Sequence, residues 1–194
     1  MVLVLASRSP RRRFLLRCLG IAFRAATPAD EELPLAGRAG SYSRMVRRAA
    51  RRKAQSVVRR GREVVLGADT IVVCDGEVMG KPASAVDARR MLRKLSGRRH
   101  RVYTGIALVS EGWNMDACER TEVEFRSLSK LEIKRYVATG EPMDKAGAYA
   151  IQGEGAALIR AVRGCYTNVI GLPLPKLAAM LAECERAAGL RVRG

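Results

Sequence analysis

Several things are scarce in this 194-residue chain. Aromatic residues make up 5% of it, with a single tryptophan. That is poor material for the stacking platforms on which proteins lay out nucleic-acid bases. There is one histidine, His100, so a histidine-rich zinc site is excluded. The five cysteines, Cys18, Cys74, Cys118, Cys165 and Cys184, are odd in number and form no CxxC pair. Reduced thiols in a cytosolic protein are expected, with Cys74 and Cys165 in the core because they sit in apolar stretches. No segment approaches the roughly 18 apolar residues that span a membrane. The apolar N-terminal run is too short for a signal peptide and lacks a basic leader. The expectation is a soluble, cytoplasmic protein. Neither a Walker A loop nor a GxGxxG fingerprint is present, which removes support from ATP-coupled and dinucleotide readings. Acidic residues are also few: 19 against 36 basic ones, a formal net charge of +17.

What is present in quantity is arginine, since only seven of the basic residues are lysine. The basic residues run along the whole chain. An anionic small substrate accounts for part of the excess and compositional bias for the rest. Hydrophobic residues reach 48%, enough for a real core in a single domain over 1–194, built as one body or as two lobes sharing a cleft. Strands are expected at Val2–Leu5, Ile21–Ala26, Val64–Val73, Arg101–Val109, Asp116–Phe125 and Ala156–Val162. Helices are expected from Pro10 to about Gly20, over Tyr42–Arg60, from Ser84 to about Leu95, over Ser129–Ala138, and over Leu172–Ala188. Ser84 with Asp87, and Ser129 with Glu132, have capping-box spacing. Strands and helices alternate, yet the adjacent strands at 101–125 read as an antiparallel hairpin. The class is therefore α/β (α+β), with a mixed twisted sheet flanked by helices.

The stretch "LASRSPRRRFLL", residues 5–16, holds a local conflict. Ser9 is a good N-cap and Pro10 suits the first helical position. The first turn has free N–H groups and the positive end of the helix dipole, where acidic residues are favoured. Arg11, Arg12 and Arg13 occupy it instead. A polyanion removes the conflict, because free N–H groups and guanidinium forks together make a phosphate site. The plain alternative is solvated surface in an arginine-rich protein.

Asp69 is the sharpest single candidate. It interrupts the apolar strand "LGADTIVV", and an unpaired carboxylate in a core is costly. It must pair with a cation or face a cleft. Lys81 stands in "GKP", a loop that presents an ammonium rigidly. "DKAGAYAIQGEGA", 144–156, places Gln152 between Ile151 and Gly153, and its glycines allow close backbone approach to a ligand. A glutamine amide offers one donor and one acceptor to a base edge.

"LASRSPRR", "GADTIVV", "GKP", "DKAGAYAIQG" and "NVIGLP" occur in the order and at the spacings of the Maf family, which this chain resembles from Leu3 to about Leu181. The resemblance implies a nucleoside triphosphate pyrophosphatase with a two-lobed, central-cleft fold similar to the inosine triphosphate pyrophosphatases, often dimeric. "AGAYAIQG" looks like the subfamily that hydrolyses dTTP and UTP. The resemblance implies a base or metal-binding role for Asp69, and phosphate roles for Ser9, Arg11, Arg12, Lys53 and Lys81. It implies substrate-selecting roles for an arginine of "PRR", Thr70 and Gln152. A divalent cation, Mg²⁺ or Mn²⁺, would be held by Asp69 with Glu32, although the loop also offers Asp30 and Glu31. Arg8 stands where small residues are common, and Arg13 extends the usual pair of arginines. The partners expected are the nucleotide and a second copy of the chain, with no membrane and no dedicated nucleic-acid binding. A rival reading is a basic nucleic-acid-binding or cell-division regulatory protein, which has no need of a buried acid such as Asp69. Cleanup of other modified nucleotides is a second rival.

Overall fold

The structure, a computed structural model, describes residues 2–29, 41–57 and 63–188. Its centre is a seven-stranded mixed sheet in the order β2-β1-β3-β5-β6-β7, with β4 paired to β3 off this path. β1 (Val2–Ala6), β2 (Phe23–Ala26) and β3 (Glu63–Cys74) run parallel. β4 (Glu77–Met79), β5 (Arg99–Ser110), β6 (Trp113–Phe125) and β7 (Ile159–Arg163) continue antiparallel. β5 and β6 form the expected hairpin.

Helix α1 (Pro10–Cys18) carries the chain from β1 to β2, and α2 (Tyr42–Gln55) precedes β3 on the other side of β1. The order of parallel strands thus reverses at β1. The crevice outside the carboxyl end of a strand at such a switch point is where open α/β sheets bind ligands. β3 here outruns its neighbour. β1 pairs with residues 63–67 of β3, and β4 pairs with 72–74 on the same edge. Residues 68–71 between them have no strand on that side. A slit in the sheet opens there, and Asp69 and Thr70 lie in it.

α2 covers one face. Val46, Ala50 and Ala54 are buried against β3 and β5, and the approach is unusually close. A Cβ on Gly67 would sit 2.0 Å from the Ala50 carbonyl oxygen, and one on Gly105 2.3 Å from that of Val46. Only glycine leaves room for the helix backbone at these two points. Arg47 and Arg51 of α2 both grip the buried carboxylate of Asp116 on β6.

The opposite face carries two apolar clusters. One gathers Leu3, Leu5, Leu16, Leu66 and Ile106 with α6 (Leu174–Ala188). The other gathers Val72, Met79, Val102 and Phe125 with α3 (Ala85–Leu95) and α4 (Lys130–Ala138). Both clusters contribute to the cleft wall, the first through Ile151 and Ile170 and the second through Val72, Val102 and Tyr149. The capping box at Ser129 and Glu132 is complete, and Ser84 caps α3 through the Asp87 N–H. No helix among the described residues is long and apolar enough to cross a membrane.

Three expectations need correction. The strand expected at Ala156–Val162 begins only at Ile159. Gly153–Leu158 is a 3-10 turn, held tight because a Cβ on Gly155 would meet the Ala150 carbonyl oxygen at 2.3 Å. A short helix, α5 (Tyr166–Ile170), precedes α6 and ends on Gly171 in the left-handed region. Cys165 is half-buried at its start, not core. The helix expected to Arg60 ends at Gln55, and residues 58–62 lie outside those described.

Candidate active site

The slit opens into a cleft of about 710 Å³. Ser9, Arg11, Arg12, Lys53, Asp69, Thr70, Lys81 and Gln152 all line it. Residues spread over more than 140 positions are thereby brought together. Glu32, with Asp30 and Glu31, lies outside the described residues.

Asp69 and Thr70 are consecutive on β3, so their side chains point to opposite faces of the sheet. Asp69 points toward α2. Gly67, two residues before it, and Gly105, its cross-strand partner, are the two glycines that admit α2. The helix therefore delivers Lys53, whose ammonium bonds the Asp69 carboxylate at 2.5 Å. Both side chains are largely buried, at 15% and 18% exposure, so the pair is screened less than a surface one. The sequence left Asp69 either cation-paired or facing a cleft; it is both.

Thr70 points the other way, toward α1. The Arg12 guanidinium lies against it, with Nη2 donating to Thr70 Oγ1 at 3.1 Å. Arg12 Nε donates to the Gly171 carbonyl at 2.8 Å and Nη1 to Ser7 Oγ at 3.3 Å. Arg12 thus bolts α1 to β3 and to the end of α5. This grouping makes Arg12 the arginine that stands with Thr70, and commits three of its donors to the protein. Ser9 caps α1 by accepting from the Arg12 N–H at 3.4 Å, with Pro10 behind it, as the sequence predicts.

The other cations ring the cleft. Arg11 pairs with Asp144 at 2.9 Å, and Lys145 reaches the same carboxylate and the Glu141 carbonyl, each at 2.6 Å. Burial opposes ionisation of Asp144, yet the hydrogen bonds from Lys145 and Arg11 hold its carboxyl below the usual range. Lys81 follows β4 in a loop pinned by the hydrogen bond from Gly147 N–H to the Gly80 carbonyl. Asp144 and Lys145 lie within "DKAGAYAIQG" with no signal of their own in the sequence. "DK" in a glycine-rich loop carries no periodicity that would single it out.

Gln152 sits on a braced turn. Glu141 is the brace: its Oε1 accepts from the Tyr136 hydroxyl and the Gly155 N–H, its Oε2 from the Glu154 N–H. The Tyr136 hydroxyl in turn accepts from Ala150 N–H at 3.0 Å. Gly147 and Gly153 have positive φ, and a Cβ at either would strike Val72 or Glu141. The backbone of the turn that carries Gln152 is therefore fixed.

Among the described residues no three His, Cys, Asp or Glu side chains gather as a metal-ligand cluster. A Mg²⁺ ion needs only one or two carboxylates when substrate phosphates and waters complete its shell. Asp69, a carboxylate on the cleft wall, suits an ion of that kind.

The Maf-like protein profile matches residues 2–184 of this chain. A dTTP/UTP pyrophosphatase of Symbiobacterium thermophilum is 54% identical over 182 residues, 93% of each chain. One from Pelotomaculum thermopropionicum is 52% identical over 184 residues, 93% of this chain and 95% of its own. Among solved structures, the Staphylococcus aureus Ham1 protein overlays 94% of this chain and 99% of its own with a TM-score of 0.52. At 13% identity that likeness is one of fold.

Proposed function

The chain belongs to the Maf family, and from that premise we propose that it hydrolyses dTTP and UTP to the nucleoside monophosphate and pyrophosphate in this cleft. The observation that carries the reading is the arrangement around one strand. The Lys53–Asp69 pair on one side of β3 and the Arg12–Thr70 pair on the other open into a single cleft ringed by cations.

A water attacks the α-phosphorus, and the bond to the α–β bridging oxygen breaks. Asp69 accepts the proton of that water. Lys53 holds the carboxylate in orientation, and the close contact of α2 with β3 keeps the pair from swinging. Pyrophosphate leaves with its charge met by Arg11, Lys81 and Lys145, and by the N–H groups at the mouth of α1. Asp144 holds Arg11 and Lys145 at the rim, and the triphosphate competes for both. A Mg²⁺ or Mn²⁺ ion held by Asp69 would supply charge neutralisation at the phosphate oxygens. On this reading Arg12, Thr70 and Gln152 face the base. A second copy of the chain as partner and a cytoplasmic location belong to the same reading.

The test is a nucleotide panel with Mg²⁺, following pyrophosphate release from dTTP, UTP, CTP and the purine triphosphates. Preferential turnover of dTTP and UTP is expected. Turnover of none, with salt-dependent retention on DNA instead, overturns the reading in favour of a nucleic-acid-binding protein.

A further inference from the structure

Thr70 and Thr104 are directly opposed on β3 and β5, so their side chains share a face of the sheet. Their hydroxyl oxygens are 3.0 Å apart. Thr104, completely buried, is also 3.0 Å from the main-chain carbonyl oxygen of Asn168 in α5. Each threonine has one proton to give. A carbonyl oxygen only accepts, so the contact with Asn168 is a hydrogen bond only if Thr104 donates there. Thr104 then has nothing left for Thr70, and their contact is a hydrogen bond only if Thr70 donates. Any other assignment leaves two oxygen lone pairs facing each other at 3.0 Å, in a contact that is buried at Asn168 and part-buried at Thr70. On its cleft side Thr70 Oγ1 receives an N–H of Arg12. Its proton is spent and one of its two lone pairs is used, so the other is what it offers a ligand.

We propose that Thr104 is a positioning residue for base choice. By taking the Thr70 proton, it makes Thr70 an obligate acceptor, matched to the N3–H of thymine and uracil and opposed to the bare N3 of cytosine. This rests on the reading of the cleft as a dTTP and UTP site. Polarity is set from beneath. The Asn168 carbonyl orients Thr104, Thr104 orients Thr70, and Arg12 closes the chain from above. Asn168 itself is held, its side-chain amide donating to the Val102 carbonyl at 3.1 Å and to Thr121 Oγ1 at 2.9 Å. The sequence "VYTGIAL" gave no hint of this, because Thr104 reads as an ordinary β-branched strand residue.

The experiment measures kcat/KM for UTP and CTP in wild type, Thr104→Val, Thr104→Ala and Thr104→Ser. Valine and alanine free the Thr70 proton to turn toward the cleft. The Asn168 carbonyl still accepts from Gly171 N–H at 3.0 Å, so it is not orphaned. The UTP/CTP ratio is expected to fall about tenfold or more in both, chiefly through a gain with CTP. Serine keeps the hydroxyl and keeps the wild-type ratio. A purely structural role would lower both nucleotides together and leave the ratio alone. An unchanged ratio in a folded valine or alanine variant overturns the proposal, as does an equal fall in the serine variant. A wild-type arm needs no variant: 3-methyl-UTP has no N3–H, and its turnover at the rate of UTP also overturns the proposal. If wild type releases no pyrophosphate from UTP or dTTP, the site reading itself has failed. If it prefers UTP while Thr104→Val keeps the ratio, only the role of Thr104 has.

Discussion

Gly67→Ala adds one methyl group to a residue that does not itself line the cleft, and it should disable the enzyme. The new Cβ would lie 2.0 Å from the Ala50 carbonyl oxygen and 2.8 Å from the Ala54 amide nitrogen. Contacts under about 3.0 Å are not tolerated, so one side must give by about 1 Å. The obstructing atoms are main chain, so no change of rotamer relieves them. Helix α2 must back away from β3. Overpacking of this kind costs about 1–3 kcal/mol. For a chain of this size that lowers the melting temperature by roughly 2–12 °C. The functional cost is separate. Lys53 rides on the same helix one turn further on, and its 2.5 Å bond to Asp69 opens as the helix retreats. Misplacement of a catalytic group by about 1 Å costs on the order of 10²-fold in rate. The assays are thermal melting and pyrophosphate release from dTTP and UTP. Both nucleotides should lose kcat/KM by a similar factor, because Arg12, Thr70 and Gln152 do not ride on α2. Wild-type kcat/KM in a Gly67→Ala protein that melts where wild type does would refute the argument that close packing of α2 sets the site.

Asp69→Asn keeps the shape of the side chain and loses the base; turnover should fall by about 10²–10⁴-fold in a protein that still folds. Near-normal pyrophosphate release from the variant would remove Asp69 from the chemistry. His100 is buried against Phe125 and Tyr149, and burial lowers its pKa from 6.5 to about 3. The unfolded chain binds a proton between those values and the folded chain does not, so this contribution is intact above pH 6.5 and lost as the pH falls. Unfolding free energy should decline by about 1.4 kcal/mol per pH unit below 6.5, read from urea melts at several pH values. The same slope in His100→Phe would show that other groups cause it. Glu141→Gln turns one accepting oxygen into a donor facing a backbone N–H or the Tyr136 hydroxyl, costing about 1.5–3 kcal/mol. The turn holding Gln152 should loosen, seen as faster amide exchange over 150–155, and unaltered exchange would show that Glu141 does not brace it.

Local signals were legible where the chain decides its own conformation. The Ser9 cap with Pro10, the capping box at Ser129, the strand around Asp69 and the hairpin at 101–125 all depend on neighbours in sequence. The 3-10 turn at Gly153–Leu158 was not legible. Ala156-Ala157-Leu158 looks like a buried strand, and only Gly155 against Ala150 forces the turn. The cleft residues could be named one by one, but not sorted. That Arg12 belongs with Thr70 while Arg11 turns to Asp144 is set by Gly171, 159 residues away from Arg12, and by Asp144, 133 away from Arg11. The roles of Thr104 and Glu141 depend on which hydroxyl and which carboxylate oxygen lies opposite them, and no spacing records that.

The slit between β1 and β4 has a consequence for how such an enzyme changes. Neighbouring residues on a fully paired strand normally belong to separate layers, and only one of the two meets a ligand. Here the missing strand lets Asp69 and Thr70 open into one cleft from opposite layers. Each keeps its own support, α2 for the acid, α1 and α5 for the hydroxyl. On the proposed reading, substitutions that retune nucleobase preference can accumulate in the Thr70 layer while the Asp69 layer stays untouched. A descendant of this chain could adopt another base without passing through an inactive intermediate.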